Sequence, residues 1–196
     1  ILTPRIDEAI KLAARLHHTQ VRNDHEETPY VSHLVSVMTL LSGVTNDEDI
    51  LIAGLMHDAL EDVPGYTYEK LVNDCGVRVA EIVKHVTEPL DANKEFSDQI
   101  PWLIRKEAYL EVLETGGVES ALVSTADKIH NTESVLRDMG REDGLPISKF
   151  HSSLRNRLWF HEQVLTIVTR KLGEGHILIK RFTLGTEALK ILVTKE

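Results

Sequence analysis

Thr45-Asn46-Asp47-Glu48-Asp49-Ile50-Leu51-Ile52-Ala53-Gly54-Leu55-Met56-His57-Asp58-Ala59-Leu60-Glu61-Asp62-Val63-Pro64-Gly65 is the stretch on which the fold turns. Thr45 followed by Glu48 has the spacing of a capping box, in which each side chain satisfies a backbone N–H at the start of a helix. Ile50, Leu51, Leu55 and His57 then carry that helix towards Leu60, and Pro64-Gly65 forces a turn. A mostly apolar helix ending in adjacent His, Asp, Glu and Asp residues combines core and chemistry in one element.

The flanks repeat the pattern. Thr3-Pro4 is an N-cap followed by proline, and Ile6, Ala9, Ile10, Ala13 and Leu16 recur at helical spacing up to about His18. After a polar stretch over 20–28, Thr28-Pro29 gives the same start signal before an apolar helix that stops near Gly43. Downstream, shorter helices are predicted over 67–73 and 77–86, a loop over 87–99, a helix from Pro101 to Gly116-Gly117, and a long helix from Val118. Two more span 148–172 and 186–193, and 176–182 is the one candidate short strand, because Ile177 and Ile179 are β-branched. The reading is a single all-α domain over 1–196, with core positions at Leu12, Leu16, Leu34, Val37, Leu41, Leu51, Leu55, Val123 and Leu136.

Composition narrows the function. The 196 residues hold 22 Lys+Arg against 31 Asp+Glu, a net charge of −9, which argues against a generic electrostatic grip on nucleic acid or anionic lipid. Apolar runs near 34–41 and 50–56 fall short of the ~18 residues of a membrane span. No basic start followed by an apolar block marks an export signal, and Cys75 is the one cysteine, so a reducing cytoplasmic location is expected. The 10 histidines are the unusual count and hint at metal or proton chemistry.

His33, His57, Asp58 and Asp127 stand out among them, although a lone histidine on an apolar helix is ordinarily a core or surface residue. Their neighbours raise their significance: Thr28-Pro29-Tyr30-Val31-Ser32-His33, His57-Asp58-Ala59-Leu60-Glu61-Asp62 and Ala126-Asp127-Lys128-Ile129-His130-Asn131, with Gln20 and Arg22 upstream. Over about residues 5–140 these ordered motifs resemble the HD-domain metal hydrolases, specifically the hydrolase domain of the RelA/SpoT family and its free-standing small alarmone hydrolases. The resemblance implies an HD-type helical bundle and a metal held by His33, His57, Asp58 and Asp127. It also implies hydrolysis of the 3′-diphosphate of ppGpp or pppGpp to pyrophosphate and GDP or GTP, with a guanosine nucleotide as the small-molecule partner.

Two imidazoles and two carboxylates form a mixed N/O set suited to Mn²⁺, and also accepted by Fe²⁺ or Zn²⁺. It is unlike a closed structural zinc site, which typically uses thiolates. Within the resemblance, Glu61 and Asp62 orient water and transfer protons, whereas by themselves they would read as solvated charges at a helix end. Arg22 matches the arginine that stacks on the guanine base, and Asn131, four residues beyond Asp127, the asparagine that contacts the nucleotide. Arg105 and Lys106 resemble basic residues that face the phosphates; Lys128 is read as a local ion pair, His130 as packing, and Trp159-Phe160 as core. The seven remaining histidines, His17 among them, take ordinary roles.

Asn23, Ser124 and Glu133 depart from the family pattern, each where a cation is frequent nearby, and leave the nucleotide open. Two other readings therefore stand beside the first: the same metal chemistry on another nucleotide phosphate ester, and an alarmone-binding module without catalysis. Oligomeric state is not legible.

Overall fold

The computed structural model describes residues 2–24, 26–89, 101–139 and 154–194. Their ten helices are α1 (Pro4–Leu16), α2 (Val31–Ser42), α3 (Glu48–Met56), α4 (Ala59–Asp62), α5 (Tyr68–Cys75), α6 (Val77–Lys84), α7 (Trp102–Thr115), α8 (Val118–Met139), α9 (Leu154–Leu172) and α10 (Ile177–Val193). The all-α class is the one expected. Among the described residues the extended pairing is a single antiparallel bridge between Val21 and Pro29.

α3 lies at the centre, with Ile50 to Met56 all buried. A helix that is apolar all round must be surrounded, and α1, α2, α6 and α8 supply the walls. α9 and α10 pack on the far side of α8. One hydrophobic cluster runs from Ile6 through all these layers to Phe182. Leu34, Val37, Leu41, Leu51, Leu55 and Val123 belong to it as predicted, with Leu12 and Leu16 packed at its margin. Leu136 is only partly buried, and its neighbour Val135 takes the inward position. None of the described helices is long and apolar enough to cross a membrane.

Several local expectations change. α3 is capped by Asp47, whose carboxylate accepts from the Asp49 N–H at 3.0 Å, while Thr45 Oγ1 accepts from the Asp47 N–H at 3.1 Å. Arg78 of α6 bonds both Asp47 and Asp49, which fixes the carboxylate as the cap in place of the predicted threonine. Thr28-Pro29 closes a loop rather than opening a helix. The Arg22 N–H donates to Thr28 O and the Tyr30 N–H to Gln20 O, at 2.7 and 3.0 Å, so α2 starts only at Val31.

The candidate strand over 176–182 is helix. His176 caps it by accepting from the Leu178 N–H, and Leu178, Ile179, Phe182, Thr186 and Leu189 form one buried stripe against α8 and α9. Burial of that stripe outweighs the weak β preference of two isoleucines. The expected loop over 87–99 and the start of the helix over 148–172 fall mainly outside the described residues, as do His25 and His151.

Helices α2 and α3 pack tightly at Gly54, where an added Cβ would stand 2.5 Å from Leu41 Cδ1 and 3.5 Å from the Met38 backbone. Gly54→Val is therefore expected to destabilise the fold by about 1–3 kcal/mol through overpacking, read as a lower urea midpoint with an unchanged m-value; an unchanged midpoint would show that the helices part freely.

Candidate active site

The helical run of α3 ends at Met56, and His57 and Asp58 interrupt it before the short α4. That interruption, not anticipated from periodicity, turns both side chains towards α2 and α8. His57 Nδ1 lies 2.9 Å from Gly54 O, so its N–H donates there and Nε2 faces inward. His33 arrives from the first turn of α2, and Asp127 from the middle of α8.

The four side chains converge. His33 Nε2 stands 3.3 Å from His57 Nε2, 3.5 Å from Asp58 Oδ2 and 3.3 Å from Asp127 Oδ1. His57 Nε2 stands 3.1 Å from Asp58 Oδ2 and 3.6 Å from Asp127 Oδ1. His33, His57 and Asp58 form a mutually close donor set, and Asp127 meets it across the two imidazoles. Donors about 2.0–2.2 Å from a shared ion lie roughly 3–3.5 Å apart by geometry, so these separations fit a cation between them.

The charges fit as well. Burial opposes ionisation of Asp58 and Asp127, yet His57 and His33 beside the first, and Lys128 with both histidines beside the second, hold each well below the usual carboxylate range. Burial also opposes charge on His57, but Asp58 and Asp127 overcome it and raise the imidazole well above its ordinary value. The pocket thus calls for positive charge at its centre, which a divalent cation meets.

Around this core the structure assembles further contacts. The Tyr30 hydroxyl donates to Asp58 Oδ2 at 2.7 Å, and its ring stacks on His17 at 5.3 Å. His130 Nδ1 lies 2.8 Å from His33 Nδ1, behind the face of His33 that meets the other donors. His130 therefore orients the site as well as packing. The clue was its position three residues after Asp127, one of the two spacings that share a helix face. Burial first, then charge on His33, pushes His130 down to about 4.

Glu61 accepts from the Glu88 N–H at 2.6 Å and is pushed up to about 8, by burial first and then by Glu88 and Asp58. Asp62, although it reaches solvent, is raised to about 6 by desolvation and by Asp58. Gln20 donates to Asp62 O at 2.7 Å and ties the 20–30 loop to α4. Glu88 is another residue missed in the sequence: its buried carboxylate takes both Arg105 (3.0 Å) and Lys106. Arg105 thus turns to Glu88 and lines neither cavity of the site.

Arg22 donates to Asn131 Oδ1 at 2.6 Å, Asn131 donates to Asp127 Oδ1, and the Arg22 guanidinium lies 5.5 Å from the centre of the Tyr30 ring. Both face a cleft of about 500 Å³ that also includes Asp62, Trp102 and Arg157. A cavity of about 150 Å³ adjoins it and presents Lys106 and Lys128. Lys128 pairs with Asp127 as expected, and Phe160 is core. Of the departing positions, Asn23 lines the cleft, Ser124 is buried on the Tyr109 hydroxyl, and Glu133 pairs with Arg181 of α10 away from the donor set.

The HD domain family matches residues 9–158. Guanosine-3′,5′-bis(diphosphate) 3′-pyrophosphohydrolase MESH1 of Drosophila melanogaster is 33% identical over 134 residues, covering 67% of this chain and 68% of that protein. Its Xenopus tropicalis counterpart is 35% identical over 136 residues, covering 68% and 69%. The fold also matches a solved structure described as a metazoan ortholog of SpoT that hydrolyzes ppGpp, with a TM-score of 0.78 at 23% identity over 96% of this chain and 97% of the other. The chain belongs to the HD-domain family and, within it, to the small alarmone hydrolases of RelA/SpoT type.

Proposed function

We propose that this chain is a metal-dependent 3′-pyrophosphohydrolase of ppGpp and pppGpp, that Mn²⁺ is its working ion, and that His33, His57, Asp58 and Asp127 hold that ion. The observation that carries the reading is the meeting of two imidazoles and two ionised carboxylates at one point, beside a cleft that presents Arg22 and Asn131. The MESH1 relatives, which are named for this activity, support the substrate. A divalent ion in such a set polarises a phosphoryl oxygen and lowers the pKa of water.

The residues supply the rest. Hydrolysis places water's oxygen on phosphorus, breaks the ester link to the ribose 3′-oxygen, and leaves a proton to be passed to that oxygen. Asp62, ionised above about 6, is suited to accept a proton from water, and Glu61, neutral up to about 8, to donate one. Arg22 stacks on the base and Asn131 orients the sugar side of the nucleotide. Lys106 meets phosphate from the smaller cavity, whereas Arg105 acts through Glu88 as a positioning residue.

The shared hydrophobic cluster supports one HD-type domain over 1–196. The lone buried thiol of Cys75 suits the cytoplasm, and the net charge of −9 fits a small nucleotide better than nucleic acid or a membrane. A second reading, the same chemistry on another nucleotide phosphate ester, has one observation behind it: the larger cleft sets Asp24, Asp62 and Asp138 against Arg22 and Arg157. Phosphate release from a nucleotide panel, with and without Mn²⁺, separates the two readings, and turnover of a non-guanine nucleotide above that of ppGpp would favour the second.

Asp58→Ala and Asp127→Ala are each expected to lower ppGpp turnover on the order of 10²-fold or more and to lose bound metal together with activity. Elemental analysis after dialysis checks this, and full activity in either variant would remove the ligand assignment. Arg22→Ala is expected to raise KM about 3- to 30-fold with metal content retained; an unchanged KM and nucleotide preference would remove the stacking role.

Glu61 also makes stability depend on pH. Glu61 has an ordinary value of 4.5 and a folded value of about 8, so the native state keeps a proton that the unfolded chain releases. Its contribution is full below about pH 4.5 and is lost as pH rises through about 8. In EDTA, wild-type stability in urea should therefore fall between pH 5 and 8 relative to Glu61→Gln, and parallel pH profiles would show that Glu61 titrates normally.

A further inference from the structure

We propose that α10 carries a self-association seam, an antiparallel two-fold contact with α10 of a second copy centred on Leu184. One face of α10 is already used, since Leu178, Ile179, Phe182, Thr186 and Leu189 are buried against α8 and α9. The opposite face carries Ile177, Leu184 and Ile191, exposed at 66%, 72% and 57%. Single exposed apolar side chains are ordinary. These three fall seven residues apart on one line about 21 Å long. A seven-residue repeat is the spacing that another helix matches when two helices wind around each other.

The flanking charges choose the occupant and its direction. At 100° per residue, Lys180 and Glu187 lie on one side of the stripe, and Arg181 and Ala188 on the other. Arg181 is held by Glu133 through two bonds of 2.6 and 2.7 Å. Lys180 and Glu187 are exposed and have no ion-pair partner among the described residues. In an antiparallel pair about Leu184, Ile177 meets Ile191 of the second copy, the two leucines meet on the axis, and Lys180 meets Glu187 of the second copy twice over. This is the self-complementarity that a two-fold interface requires. A parallel pair would instead set Lys180 beside Arg181 of the other copy, two like charges.

A contact of this length buries less than about 1,200 Å², at the low end of specific interfaces, so the dimer forms with rising concentration. Sedimentation equilibrium of the full chain from about 1 μM to about 500 μM spans that range. The expected mass climbs from the 22.1 kDa monomer towards twice that value. Leu184→Glu should remain monomeric throughout with unchanged helical circular dichroism and unchanged hydrolytic rate. Lys180→Glu and Glu187→Lys should each weaken association several-fold, and the double variant should restore it. A monomeric wild type, association undiminished in Leu184→Glu, or failure of the charge swap to rescue would each overturn the proposal. A monomer that instead floats with phosphatidylserine-containing vesicles would assign the stripe to a lipid surface.

Discussion

Two carboxylates, Asp58 and Asp127, face each other across a pair of imidazoles largely out of water, and the arrangement is stable only if positive charge sits between them. Isolated ionised carboxylates are expensive to remove from water. Here the cost is offset by His57 and His33 around Asp58, and by Lys128 and the same histidines around Asp127. The rest of the architecture holds these groups in register. α3 is enclosed by apolar neighbours, so it cannot roll, and its C-terminal end delivers His57 and Asp58 to a fixed place. That placement fits a divalent cation and explains why a bundle devoted to packing has so many polar groups at one end.

Supporting contacts reach the donors from behind. His130 meets His33 on its outer nitrogen, Gly54 O takes the outer N–H of His57, Tyr30 bonds Asp58, and Asn131 bonds Asp127. Each donor thus has a second partner that limits its rotation, as side chains around metals commonly do. Asn131 and Arg22 continue the chain of bonds from the donor set to the wall of the cleft, so the proposed nucleotide subsite and the proposed metal subsite are mechanically one unit. Glu88 does the same on the other side. It holds Arg105 and Lys106 with its carboxylate and Glu61 with its backbone N–H.

Much of the site was readable from residue order. His33, His57, Asp58 and Asp127 do converge, Asn131 does share a helix face with Asp127, and Lys128 does pair with Asp127. The pairing of Arg105 with Glu88 was not legible, because Glu88 comes from a separate segment and an ion pair between segments leaves no spacing signal. His130 was underrated, because a choice between the i+3 and i+4 directions from Asp127 needs the position of α2. The strand candidate over 176–182 failed because local β preference is smaller than the gain from burying Leu178, Ile179 and Phe182 against two helices.

The amino-acid order by itself determined the all-α class and most helix positions, because apolar period and capping are local properties carried by neighbouring residues, and its motifs pointed to His33, His57, Asp58 and Asp127 through their resemblance to a family. Only the tertiary structure decided which atoms face one another: the helix interruption at His57-Asp58, the loop that brings Arg22 to Asn131, and the capture of Arg105 and Lys106 by Glu88. Those contacts join residues up to 109 positions apart. Their geometry follows from how the helices pack around α3, a property of the whole chain that no short window contains.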